Sequence, residues 1–250
     1  LDTLFFTLIG IGIVSSFIGT LAGGGGLITL PAMMLVGIPI QIGIATNKFS
    51  SGVAALTSVS YLLKNKHLSG KTIVMNVCIA LTGGVSGALI TSSMTERTMN
   101  IIALVLLIFA FIVTLKNKQW VSSVKETDKD TSIISNITPF FIAAYDGGFG
   151  PGSSTFGILY YMHRKNTYTK AVQLTRVLIL GSCLGAFIVF YQTGFVQWHY
   201  AIAMAIGSAV GSQIGLLALP KVPLKFAKYL LITILFFVNR TSIIQDCLTN

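Results

Sequence analysis

Apolar runs, each stopped by a few polar or glycine residues, set the rhythm of this chain. They fall at about 1–20, 27–36, 42–63, 72–92, 98–115, 132–145, 155–162, 169–191, 200–219 and 224–238. The runs are continuous, without the two-residue alternation of a membrane barrel strand, so they predict helices. Most approach the roughly 20 residues that an apolar helix needs to cross a bilayer of about 30 Å. Two, 27–36 and 155–162, are much shorter. Each follows a glycine-rich break: Leu21-Ala22-Gly23-Gly24-Gly25-Gly26-Leu27-Ile28-Thr29-Leu30-Pro31 in the first half, and Asp146-Gly147-Gly148-Phe149-Gly150-Pro151-Gly152-Ser153-Ser154 in the second.

The order of features repeats. A polar stretch, KNKQWVSSVKETDKD, divides the chain almost in half. A shift of 129 carries Gly19 onto Gly148, Gly23 onto Gly152, Thr46 onto Thr175 and Gly52 onto Gly181, and a shift of 124 carries Gly83-x3-Gly87 onto Gly207-x3-Gly211. Small residues at that spacing let helices approach closely in lipid. Internal duplication of this kind is common in transporters. The divisions are repeat 1 at 1–116, a linker at 117–131, repeat 2 at 132–240 and a tail at 241–250.

Composition fixes the solvent. Of 250 residues 53% are hydrophobic and only 10% charged, with mean hydropathy +0.81. A soluble domain carries about 25% charged residues, so lipid is expected around this one. Net charge is +10. The basic residues cluster in short loops, which reflects the positive-inside rule and not a nucleic-acid partner. Setting aside Lys48 and Arg176, the basic residues divide 13 against 2 if the short runs cross the membrane, and 8 against 7 if they re-enter. The biased division predicts inverted halves, both termini outside and the linker in the cytoplasm. The expected fold class is therefore an all-α integral membrane protein with two inverted five-segment repeats, about ten segments including two short broken ones. The first run lacks a basic leader and is read as a spanning helix, not a signal peptide. Cys78, Cys183 and Cys247 show no metal spacing, and no metal or cofactor is expected.

Two ionisable groups lie far from any loop: Lys48, after Thr46-Asn47, and Arg176, after Thr175. A charge at such depth costs several kcal/mol unless it faces protein or water, so it marks a functional site by default. The alternative is a side chain that snorkels to an interface. The glycine breaks Gly23, Gly24, Gly25 and Gly26, and Gly150 with Gly152, lead into helix starts whose free N–H groups attract anions. They could also be plain turns. Ser153 and Ser154 add hydroxyls to the second break. Lys48, Arg176, Thr46, Asn47, Thr175 and these breaks together predict a site for a small anionic solute. Asp146 is the one carboxylate inside an apolar stretch, a candidate for proton coupling or else a helix cap.

The run Phe17–Pro31, the following Gly43-Ile44-Ala45-Thr46-Asn47-Lys48 and the degenerate second copy resemble the sulfite exporter TauE/SafE family. The resemblance covers nearly the whole chain. It implies a secondary transporter of the bacterial or archaeal plasma membrane. The implied cargo is sulfite, sulfonates or related sulfur or carboxyl compounds, moved by alternating access. A homodimer is possible on this reading. Two rivals stand beside it: a membrane-embedded lipid phosphatase, and a structural membrane protein with no transport cycle. Glu96 and Glu126 lack the matching histidine cluster that the phosphatase would need.

Overall fold

A computed structural model describes residues 2–23, 25–65, 68–116 and 134–220. Every regular element among them is a helix: α1 (Asp2–Ala22), α2 (Gly25–Leu35), α3 (Ile40–Lys64), α4 (Gly70–Ser92), α5 (Glu96–Lys116), α6 (Ile134–Gly148), α7 (Ser153–His163), α8 (Tyr168–Gln192) and α9 (Trp198–Ala218). Nine of the expected runs thus appear, in order. The linker at 117–131, the run at 224–238 and the tail at 241–250 lie outside the described residues.

Helices α1, α4, α8 and α9 are long and apolar enough to cross a membrane. Helix α3 has 25 residues, about 37 Å of rise, but is interrupted by Thr46, Asn47, Lys48, Ser50 and Ser58, all buried. Helices α2 and α7 have 11 residues each, about 16 Å. The outward face of α9 shows what solvent it meets. Ile202, Ile206, Val210, Ile214 and Leu217 are exposed along one stripe, while Gly207, Gly211 and Gly215 press on α1. An apolar stripe of that extent belongs against lipid.

The glycine faces set the packing. A methyl group at Gly207 would come within 2.2 Å of the Ile9 carbonyl oxygen, and one at Gly211 within 2.1 Å of that of Ile13. Numbers rise together, so α1 and α9 run parallel. Gly83 meets Phe140 and Gly87 meets Ala144 in the same way, so α4 runs parallel to α6. Gly181 meets Val77 and Gly185 meets Leu81, so α4 also runs parallel to α8. The two glycine pairs that the sequence matches therefore do equivalent work, each seating its helix on the first helix of the other half.

One boundary differs from expectation. Residues 146–154 read as a loop, but α6 continues through Asp146 and Gly147 to Gly148. Glycine is a poor helix former in isolation. Here its missing side chain is what α4 requires: a methyl at Gly147 would lie 2.4 Å from the Gly84 carbonyl oxygen. Tertiary contact overrides local propensity and puts Asp146 on a rigid helix, not in a loop.

Candidate functional site

The two helix breaks meet. Gly23 takes a positive φ of 81°, and a methyl there would strike the Thr155 amide nitrogen at 2.7 Å. Gly26 faces the Gly150 carbonyl, 3.2 Å from its virtual methyl. Gly152, at φ 77°, caps the start of α7. Glycine is needed at Gly23 and Gly152 because a side chain strains that backbone. The outcome is that the starts of α2 and α7 lie side by side inside the protein. Gly24 lies outside the described residues.

A small polar cavity of about 30 Å³ sits at this junction. That is room on the scale of one or two waters. Gly25, Gly26 and Thr29 border it from α2, Gly150, Ser153 and Ser154 from the second break, and Asn47 and Ser51 from α3. Arg176 and Ile179 come from α8, Asp146 from α6, and Ser208 from α9. Ser15, Ser16 and Gly19 of α1 complete the wall. Ser51 donates to Asn47 Oδ1 at 3.3 Å, which leaves the Asn47 NH2 group as a donor.

Arg176 is 6% exposed. Its Nη2 donates to Thr20 Oγ1. Thr20 is in turn joined to Ser212 at 3.3 Å and Ser212 to Ser58 at 2.7 Å. This hydroxyl chain ties α8, α1, α9 and α3 together and orients the guanidinium. Among the described residues no carboxylate lies within ion-pair distance of Arg176. A guanidinium has five N–H donors and keeps its charge, so one hydroxyl partner leaves both its charge and most of its fork unanswered.

Lys48 is different. It is 1% exposed, its Nζ lies 3.5 Å from Asp146 Oδ1, and it donates to the Asp146 backbone carbonyl. Asp146, 4% exposed, also accepts from Ser153 on Oδ1 and from Ser182 on Oδ2. The Cys183 thiol lies 3.7 Å from Oδ2. Asp146 is thus a fully engaged carboxylate, with each oxygen hydrogen-bonded and one cation beside it. Lys48 presses close to Gly150, where a methyl would come within 2.5 Å of Nζ.

The sequence pairs Lys48 with Arg176, but the shift that superposes Thr46 on Thr175 puts Asn47, not Lys48, on Arg176. The structure follows that register: Asn47 and Arg176 both border the cavity. Neighbours on a helix point about 100° apart, so Lys48 turns to Asp146 behind the wall. Thr46 and Thr175 do not border the cavity. The Thr175 hydroxyl bonds back to Ala171 at 2.7 Å, and those of Thr46 and Thr155 are buried with no partner among the described residues. The sequence reading missed Ser15, Ser16, Thr20, Ser182, Ser208 and Ser212. Their signal was present as hydroxyls one helical turn apart inside apolar runs, a pattern that also occurs where hydroxyls merely bond their own helix.

Comparison with known proteins supplies the family. The family model "Sulfite exporter TauE/SafE" matches residues 8–239. The "Probable membrane transporter protein ORF9" of Sinorhizobium sp. is 33% identical over 81% of the chain and 78% of its own length. The "Probable membrane transporter protein" of Haemophilus influenzae is 27% identical over 82% of the chain and 81% of its own length. The "Probable membrane transporter protein YfcA" of Escherichia coli K12 is 27% identical over 86% and 79%. No solved structure matches the chain. With the match spanning nearly all of the described helices and both broken segments, the chain belongs to the sulfite exporter TauE/SafE family of membrane transporters.

Proposed function

We propose that this protein carries a small oxyanion across the plasma membrane by alternating access, and that the anion rests against Arg176 in the central cavity, which widens from its present volume of about 30 Å³ to admit it. One observation carries the reading: a buried guanidinium borders a polar cavity and, among the described residues, has no carboxylate within ion-pair distance. An uncompensated buried charge costs several kcal/mol, and a bound anion would supply the missing partner. The fork of Arg176 suits the oxygens of sulfite, a sulfonate or a carboxylate bidentately. The Asn47 NH2 group, the hydroxyls of Ser154 and Ser208, and the amides at the starts of α2 and α7 are the remaining donors. Lys48 acts as a second cation held in reserve by Asp146, and Asp146 is the site of proton coupling.

The transport cycle rests on inverted halves. Several observations support them. Five residues join α3 to α4, and five join α8 to α9. Five extended residues reach at most about 17 Å, too little to return along helices above about 30 Å, so each pair is antiparallel. Combined with α4 parallel to α8 and α6, and α9 parallel to α1, this makes α1 and α3 run one way and α6 and α8 the other. It also requires the chain to come back between α1 and α3, the work of the short α2. The strongly biased charge division then favours outside termini and a cytoplasmic linker.

The test is anion binding and flux with purified protein. In detergent, sulfite and methanesulfonate are expected to raise the melting temperature of the wild type, and Arg176→Ala to lose that stabilisation. In liposomes Arg176→Ala is expected to lose anion flux, whereas Arg176→Lys, a point charge in place of a fork, should keep a fraction of it. Unchanged anion affinity in Arg176→Ala rejects the site, and silence across anions in the wild type favours a structural protein.

A further inference from the structure

The charges around the cavity do more than attract an anion. Together with the reading of the cavity as an anion site, on which this rests, we infer that the site is balanced for a monoanion and admits a dianion only when a proton is placed on Asp146. Three charged groups meet here. Arg176 borders the cavity and has no carboxylate partner among the described residues. Asp146 borders it too, and Lys48 stands behind Asp146 at 3.5 Å. Lys48 and Asp146 cancel, so one positive charge is left for the cargo.

A monoanion closes that balance. A dianion leaves one negative charge in surroundings that solvate charge poorly, at a cost of several kcal/mol. Protonating Asp146 from bulk water removes the excess and frees the Lys48 charge for the cargo.

The geometry is suited to that exchange. Lys48 is held by the Asp146 backbone carbonyl as well as by the carboxylate, so the ammonium keeps its position once the carboxyl is neutral. Ser153 and Ser182 each donate to a different carboxyl oxygen. The hydroxyl opposite the new proton can turn from donor to acceptor, and Ser182 already has a second acceptor in the Ile179 carbonyl at 3.1 Å. The groups facing Asp146 are few. Lys48 comes from α3, the Cys183 thiol and Ser182 from α8, and Ser153 from α7. Helix α4 brings Gly84, Gly87 and the Thr91 hydroxyl to this end of α6, and Tyr145 precedes Asp146 on its own helix.

Sulfate and methanesulfonate are the probes. Both are tetrahedral at sulfur, sulfate with four terminal oxygens and methanesulfonate with three and a methyl group, they differ by one charge, and neither titrates near neutral pH. Purified wild-type protein is titrated with each in weakly buffered detergent containing a pH indicator. Methanesulfonate is expected to bind with no net proton change. Sulfate is expected to take up close to one proton per site, and its affinity to fall about tenfold per pH unit where that proton is taken up. Asp146→Asn, neutral without a proton, is expected to bind sulfate with no proton uptake and to shift preference towards sulfate at least tenfold. The wild-type titration decides the matter even if that variant does not fold. Sulfate binding without proton uptake, or equal uptake with both anions, overturns the inference and leaves the anion site standing. Binding of neither anion overturns the site and this inference with it.

Discussion

Lys48 and Asp146 should behave as one unit in folding, and a double-mutant cycle measures how strongly. At 3.5 Å the attraction is about 5 kcal/mol at an effective dielectric of 20. Desolvation of two almost fully buried groups offsets much of that. The asymmetry is what the experiment reads. Asp146→Asn keeps a partner for Ser153 and Ser182 but leaves the Lys48 ammonium uncompensated. Lys48→Met leaves the carboxylate with its hydroxyl donors and no cation. Each should cost about 3 kcal/mol, towards the lower end for breaking a buried pair. The double variant removes both charges, and its cost should fall short of the sum by about 2 kcal/mol. Equilibrium unfolding in mixed micelles, or steric trapping in bicelles, gives the four free energies. Additivity within about 0.5 kcal/mol would refute the reasoning, since it would mean that the two charges do not sense each other.

Other outcomes follow from the same contacts. Gly87→Ala and Gly211→Ala force a methyl to within 1.8 and 2.1 Å of the Ala144 and Ile13 carbonyl oxygens. Each should lower the melting temperature by the equivalent of about 3 kcal/mol or prevent folding, whereas Gly10→Ala, with nothing within 4 Å, should be neutral or slightly stabilising. With Cys78, Cys183 and Cys247 replaced by alanine, Asn47→Cys and Ser154→Cys should react with a small aqueous thiol reagent and be protected by bound anion. Thr46→Cys should not react, and equal labelling at 46 and 47 would contradict the orientation of α3. In the same background, a cysteine at Arg97 should label from outside the cell and one at Lys64 only from the cytoplasm. The reverse, or both from one side, would overturn the inverted arrangement. Ser212→Ala should weaken anion binding by up to about tenfold, the worth of one hydrogen bond, by loosening Thr20 beneath Arg176. An unchanged affinity would show that the hydroxyl chain does not orient the guanidinium.

The element order was legible because lipid imposes a simple rule. Every backbone group must be satisfied within its own segment, so long apolar runs must be helices. The nine described helices match the expected runs to within about three residues at each end. The same rule made Arg176 and Asp146 stand out, since a charge deep in an apolar run needs a reason. The glycine pair on α4 and its copy on α9 were also visible as spacing alone.

What the sequence left open were directions and partners. Asp146 read equally as a cap or a carrier, and only the packing of α6 on α4 set it on a helix facing Lys48. Lys48 and Arg176 read as equivalent cations. Their side chains diverge because one residue of helical register separates them from true correspondence, and one residue is about 100° of rotation. The hydroxyls of Thr20, Ser58 and Ser212 are spread over three helices and become a chain only when α1, α3 and α9 assemble. Periodicity along one segment records which face is buried. It carries no information about which other segment will cover that face, and in this protein that choice decides which cation is paired with Asp146 and which has no carboxylate beside it among the described residues.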